Sequence, residues 1–374
     1  MILYNVIITT VLLVILLNLL NNLKLLKSIK AGERKFTGSP LVSVLVPARN
    51  EGGNIEKCIL SLLEQDYPNY EVIVLDDNSE DDTLIKLEKI KEEYPHIEIF
   101  SNDVLLDGWT GKNFSCHTLS RYAKGEWLLF TDADTVHSSD SITSSIEAII
   151  AERAELLSIM PELVMKSLSE KLFMPLAHFA LLSFLPLGLM NTIKDPRAVI
   201  AMGPFMLINA EFYRKIGGHE KIKDKIVDDL RLAQEVKRNG GKVVFMDGQD
   251  IVTVRFYNNL KDLWNGFSKN SFGAFDNSPL ILLIFLSLNF VIYLLPFFLF
   301  LSGILKFQFY LLPSIQVFLI TLHRYILSVR FRINLLLIFL HPAALIFGFL
   351  IALNSMQLTL LNKAMVWKER IYRP

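Results

Sequence analysis

The apolar residues of this chain gather at its two ends, and that placement limits the fold more than any single motif does. Residues 2–20, ILYNVIITTVLLVILLNLL, form a run long enough to cross a bilayer, which takes about 20 residues of helix. The start carries no Lys or Arg, and KLLKSIKAGERK follows the run, so it reads as an anchor over residues 1–27 rather than a cleaved secretory signal. The five cations of residues 24–35 place that stretch on the cytoplasmic side. Three further apolar segments follow residue 278, at 279–305, 309–328 and 335–354, set apart by Lys306 and by the basic stretch Arg324 to Arg332. Three crossings would leave the basic tail WKERIYRP outside, against the charge rule. Pro342 and Gly348 interrupt the last segment, so 335–361 is expected to be a re-entrant or interfacial hairpin.

Composition supports a membrane-attached chain: 374 residues, 52% hydrophobic, with a mean hydropathy of +0.37. Lys plus Arg and Asp plus Glu are both 38, so no basic excess favours nucleic acid as a partner. Two cysteines, Cys58 and Cys116, are too few for a disulfide framework or a zinc cage and fit a reducing cytosol as free thiols.

The middle, residues 40–275, reads as one water-soluble domain. Short β-branched runs alternate there with helical periodicity, as a parallel sheet with crossover helices requires. LVSVLV (41–46), EVIVLD (71–76), IEIF (97–100) and EWLLFT (126–131) are predicted strands. Asn54 is a candidate cap for a helix with Ile55, Cys58, Ile59 and Leu62 on one face. Ligands of such a sheet bind beyond the carboxyl ends of its strands.

Polar residues collect at those ends: PARNE (47–51), DDNSEDDT (76–83) and DAD (132–134). No GxGxxG or P-loop pattern occurs, so a different nucleotide site is required. Asp132 and Asp134, two apart in an extended segment, would point to one side and could hold Mg²⁺ or Mn²⁺ with positions open for diphosphate oxygens. Asp76 and Asp77 could accept from a base or a ribose, and helix capping is the alternative reading of their loop. Lys112, on the Gly-bracketed DGWTGKN, could reach a phosphate or be a solvated surface lysine. Asp228 and Asp229 open the predicted helix DDLRLAQEVKRNG; one could be a general base, or both could simply complement the helix dipole.

The ordered set VPARNE, VLDDNSEDDT, GWTGKN, LLFTDADT, GPFMLI, GGHE and VDDLRLA resembles family-2 glycosyltransferases of the GT-A fold. It covers about Leu41 to Asn270. VRFYNNLKDLWNGFSKN (254–270), the late apolar segments and the terminal WKERIY are similar to a membrane branch that glycosylates carotenoid or hopanoid lipids. The resemblance implies an α/β architecture, a Rossmann-like mixed sheet flanked by helices, with an N-terminal transmembrane helix and C-terminal membrane helices over 278–374. It also implies a multi-pass protein of the cell membrane with a cytoplasmic catalytic domain. The implied reaction is an inverting, metal-dependent transfer of one sugar from a nucleotide sugar such as UDP-glucose to a lipid acceptor. Pro47, Ala48, Arg49 and Glu51 match the family's first nucleotide loop, and Asp77 its uracil-contacting aspartate. Lys112 matches the lysine near the diphosphate; Asp132 and Asp134 match the metal motif, with Asp132 also at the donor. Asp229 matches the base, with Asp228 where Glu is more usual.

The QxxRW motif of processive synthases is absent; its region carries Arg255, Tyr257, Trp264 and the Lys269–Asn270 pair. A single transfer is therefore favoured over chain growth. Glu369 departs from the Gly usual in the branch's tail. The stretch 172–190, LFMPLAHFALLSFLPLGLM, cannot cross the membrane alone, because it separates Asp134 from Asp229, which must meet at one sugar. It is read as an interfacial element. Trp109, His178 and His219 are read as packing residues. The rivals are a processive polysaccharide synthase and, in another class, a non-catalytic nucleotide-sugar-binding membrane protein or a small transporter.

Overall fold

Each β-branched run of the middle region becomes a strand, and the polar stretches between them become the loops of one rim. The computed structural model describes residues 2–29, 38–102, 104–190, 192–275, 277–306, 310–361, 365–367 and 370–372. The chain divides into two compact units: residues 26–164 with 189–256, and residues 1–25 with 165–188 and 257–374. These limits differ from those read off composition, since 165–188 and 257–275 fold with the terminal helices.

The first unit is built on strands β1 (Val42–Ala48), β2 (Tyr70–Asp76), β3 (Glu98–Ser101), β4 (Trp127–Phe130), β5 (Thr135–His137), β6 (Leu156–Met160), β7 (Glu162–Leu163), β8 (Met206–Asn209), β9 (Val243–Asp247) and β10 (Val252–Val254). Seven of them form a mixed sheet in the order β3-β2-β1-β4-β8-β6-β9; β5, β10 and β7 form a second, small sheet. Strands β1, β2, β3 and β4 are mutually parallel, so all end on one rim. Strand β8 runs antiparallel to both β4 and β6, so its beginning, not its end, arrives at that rim. Val44, Leu45 and Val74 are fully buried, as strands covered on both faces require. The helix Ile55–Leu63 buries Ile55, Cys58, Ile59 and Leu62. Asn54 stands before it but makes no capping bond; its amide donates to Glu51 Oε2 at 2.9 Å. Both cysteines are buried and free.

In the second unit four helices among the described residues are long and apolar enough to cross a membrane: Ile2–Leu25, Pro279–Leu305, Leu311–Arg330 and Leu335–Leu360. Leu3, Leu17, Leu280, Leu288, Phe318 and Phe339 leave their apolar side chains exposed on them. Sparse polar contacts tie the helices together, the adhesive available where lipid offers no hydrophobic contrast. Tyr4 Oη donates to Val291 O at 2.9 Å, and Gln316 Nε2 to Asn5 O at 3.0 Å.

Two sequence expectations change here, those for residues 335–361 and for Arg324. Residues 335–361 are not a hairpin: a 3₁₀ turn over Leu335–Leu340 leads directly into the helix His341–Leu360. Pro342 lies in its first turn, where no backbone donor is missed, and Gly348 lets the helix approach Phe173, whose ring would lie 3.3 Å from an added Cβ. The stretch read as interfacial, 172–190, is folded into this unit as far as residue 188. Its helix Pro175–Phe184 buries Phe179 and Leu182, and Asn22 Nδ2 donates to Leu182 O at 2.8 Å while Asn18 Nδ2 donates to Ser183 O at 2.9 Å. Arg324 is also not in a connecting loop, because the helix runs on to Arg330. Glu369 and its neighbour Lys368 lie outside the described residues.

Candidate active site

The rim loops of the α/β unit carry the residues singled out by sequence. Pro47 and Ala48 end β1, in register with Leu75 and Asp76 of β2. Arg49 Nη1 donates to Asp77 O at 2.6 Å and Asn78 O at 2.8 Å, clamping the first loop to the second. Glu51 is buried, and its backbone N–H donates to Thr83 Oγ1 at 2.8 Å. In DDNSEDDT the turn bonds fall on Asp76 and Asp81, while Asp82 makes no side-chain cap bond. Asp76 Oδ2 accepts from Ser79 N at 3.1 Å, Asp81 Oδ1 from Thr83 N at 3.0 Å, and Asp82 is the residue before the helix Thr83–Glu93. Asp77 is buried, 4% exposed.

The DAD segment is a turn rather than an extended strand. Thr135 N and Oγ1 both donate to Asp132 O, at 3.2 and 2.7 Å, which folds residues 132–135 back on themselves. Thr131 Oγ1 and Thr135 Oγ1 lie 2.9 and 3.1 Å from His137 Nε2. Thr131 Oγ1 also donates to Pro204 O at 2.8 Å. Burial pushes the His137 imidazole down to about 3, so this support is neutral.

Lys112 stands in the first turn of the helix Gly111–Tyr122, which Thr110 caps by accepting from Asn113 N. Its Nζ lies 2.7 Å from Asp132 Oδ1 and 3.3 Å from Asp228 Oδ2. Burial opposes its charge, but Asp132 and Asp228 outweigh that and hold its pKa well above the usual lysine value. Asp228 and Asp229 open the helix Asp228–Arg238 as the sequence pattern required. The approach to that helix is fixed from the lysine side, because Asn113 Nδ2 donates to Ile222 O at 2.7 Å and Lys225 O at 2.9 Å.

Gly203 is the residue at which these elements meet. A Cβ built there would stand 3.1 Å from Asp132 Oδ2, 3.1 Å from Lys112 Nζ and 3.6 Å from Asp229 Oδ2. Its backbone N–H donates to Asp229 Oδ2 at 2.8 Å, while Leu230 N donates to Oδ1 at 2.7 Å. Burial first, then the charge of Asp228, raises the Asp229 carboxyl to about 6 against the pull of Lys112. The reversed strand β8 brings Gly203 here, and Ser158 holds the preceding residue by accepting from Met202 N at 2.8 Å. Sequence reasoning quoted GPFMLI without giving this glycine a role; the signal was its place just before a strand.

The two buried thiols lie under the same residues. Burial, then Asp228, Asp132 and Asp77, raise Cys116 against Lys112; burial, then Asp134, Glu51 and Asp132, push Cys58 to about 12. Cys58 Sγ lies 3.7 Å from Asp132 O. Trp109 packs on Phe114 and His117, and His219 on Phe130 with its Nδ1 2.8 Å from Tyr213 Oη, so both are packing residues. No three His, Cys, Asp or Glu side chains cluster as a metal cage among the described residues. Two neighbouring aspartates suit a hard divalent ion that takes its remaining ligands from a diphosphate.

The family described as Glycosyl transferase family 2 matches residues 43–217. The chain is 28% identical over 251 residues to a 4,4'-diaponeurosporenoate glycosyltransferase of Staphylococcus haemolyticus (strain JCSC1435), covering 65% of this chain and 64% of that protein. It is 27% identical over 246 residues to the protein of that name from Staphylococcus aureus (strain USA300), covering 64% of each. The matches thus span a little under two thirds of these relatives. Among solved structures, the fold is shared with mannosyltransferase PcManGT from Pyrobaculum calidifontis in complex with GDP-Man and Mn²⁺, at a TM-score of 0.54 and 16% identity over 93% of this chain and 98% of that one.

Proposed function

We propose that this chain, whose residues 43–217 match the family described as Glycosyl transferase family 2, transfers a single sugar from a nucleotide sugar to a lipid acceptor, with inversion at the anomeric carbon. The convergence of Lys112, Asp132 and Asp229 on Gly203 carries this reading. The loop Pro47, Ala48, Arg49 and Glu51 together with Asp77 receives the nucleoside, Asp77 accepting from the base. Lys112 and Asp132 face the donor diphosphate. Asp132 and Asp134 would hold Mg²⁺ or Mn²⁺, which offsets the charge on a departing nucleoside diphosphate.

Asp229 takes the proton of the acceptor hydroxyl. The acceptor oxygen then bonds to the anomeric carbon as the bond from that carbon to the diphosphate oxygen breaks. The N–H groups of Gly203 and Leu230 hold both Asp229 oxygens, fixing the base before the acceptor arrives. A carotenoid-like lipid is the favoured acceptor, supported by the similarity to the two staphylococcal proteins and by four helices able to span a membrane. The basic stretch at residues 24–35 supports a cytoplasmic α/β unit, where nucleotide sugars are made available. UDP-glucose is the first donor to test.

Membranes containing the chain are incubated with labelled UDP-sugars and extracted lipids, and the product is identified by mass spectrometry. Asp229→Asn is expected to lower transfer by about 10³-fold while nucleotide-sugar binding persists. A variant that transfers at the wild-type rate removes Asp229 from the reaction.

A further inference from the structure

Inside the helical unit a positive charge is buried without an anion among the described residues. Arg324, on the helix Leu311–Arg330, is 2% exposed. Its Nη1 donates to the backbone carbonyl of Pro175 at 3.1 Å, its Cζ stands 5.9 Å from the Phe179 ring centroid, and its Nε has no acceptor. Among the described residues no carboxylate pairs with it. One carbonyl dipole does not neutralise a guanidinium in apolar surroundings, and ionisable groups persist inside membrane helices chiefly where something pairs with them.

Other buried polar groups share the wall around Phe179. The rings of His341 and Tyr293 lie 5.0 and 5.2 Å from the Phe179 ring and 6.0 Å from each other. They do not bond to one another: the Tyr293 hydroxyl and both His341 nitrogens are buried without a hydrogen-bond partner. His323 donates Nδ1–H to Leu319 O at 2.7 Å and leaves Nε2 without a partner. Tyr293 belongs to a π-helical turn, Phe290–Leu294, inserted into the helix Pro279–Leu305. Pro296, lacking an N–H, accounts for a break in the hydrogen-bond ladder here, and such turns recur at functional sites.

We propose that Arg324, Tyr293 and His341 form a binding site within the helical unit for the carboxylate head of a long-chain amphiphile. A single cation matches a monoanion, and the planar guanidinium matches the two oxygens of a carboxylate. The Tyr293 hydroxyl and a His341 N–H supply the further donors that a desolvated carboxylate needs. The apolar tail follows from the setting, four helices whose outer faces are made of exposed Leu, Ile and Phe. This inference does not rest on glycosyl transfer by the α/β unit.

The test uses the full chain in detergent and the fluorescent polyene cis-parinaric acid, with its methyl ester as the uncharged control. The acid is expected to bind roughly tenfold more tightly than the ester, the worth of hydrogen bonds to a charged group. Arg324→Gln should abolish that preference, and Tyr293→Phe, which keeps the ring packing, should reduce it severalfold. The second variant keeps the test readable if the first fails to fold. Equal affinity for acid and ester, as ordered water around these groups would give, overturns the proposal. So does displacement of the probe by phosphatidic acid or inorganic phosphate but not by oleate.

Discussion

Lys112 in the α/β unit and Arg324 in the helical unit are cations held in opposite ways. Lys112 has two carboxylates within 3.3 Å, while Arg324 has one backbone carbonyl and an aromatic face. A charge whose partners are built into the fold is part of the fold's stability. A charge without one is retained at a cost, and the cost is repaid only when something binds. The contrast separates a site whose cation is already paired from one whose cation is not.

Replacing each cation by methionine tests the contrast most directly. Lys112→Met leaves Asp132 and Asp228 facing each other unopposed, so sugar transfer is expected to fall by about 10²-fold and the melting temperature with it. Arg324→Met removes an unpaired buried charge, and the melting temperature of the lipid-free protein is expected to hold or rise. Thermal melts of both variants in one detergent decide it; a large loss of stability in Arg324→Met would show that its charge already has a partner.

A smaller effect is expected at Gly203. Gly203→Ala places a methyl 3.1 Å from both Lys112 Nζ and Asp132 Oδ2, so those groups must each give by a few tenths of an ångström. Transfer should drop by about tenfold, with KM for the donor rising more than kcat falls, since the crowded atoms are those proposed to face the diphosphate. An unchanged KM would place the diphosphate elsewhere.

The smallest effect concerns groups that are buried and uncharged. His137 is pushed down to about 3 by burial, whereas an unfolded chain binds that proton near 6.5. The unfolded state therefore holds more protons between these values, and stability, complete above about pH 6.5, declines as the pH falls towards 3. His219, also pushed down to about 3 by burial, adds to the same slope. His137→Gln should flatten the acid side of a plot of melting temperature against pH; an unaltered slope would mean that His137 does not stay neutral.

The parallel half of the sheet was legible because buried parallel strands write themselves as continuous runs such as VSVLV and EVIVLD. The antiparallel partner β8 was not, since the direction in which MLIN runs beside β4 is set by the connection before it and leaves no mark on its residue types. The acids of the site could be found because their residue types are tied to their chemistry. Gly203 could not be assigned a role, because its contribution is backbone proximity and one N–H, neither of which has a side-chain signature. Arg324 was misread for a related reason. A charge near the end of an apolar run looks like the start of a loop, and only the packing of the helix shows that it points inward. The DAD segment was read as extended, but the backbone bonds from Thr135 to Asp132 O bend it into a turn.

The two bonds from Arg49 to the carbonyls of Asp77 and Asn78 have a mechanical consequence. They rivet the loop after β1 to the loop after β2, so neither can widen unless the other travels with it. On the proposed reading of these loops as the seat of the donor's base, tolerance for a different nucleobase would have to come from loosening that rivet, and exchanging Arg49 for a shorter side chain is where a search for altered donor choice should begin.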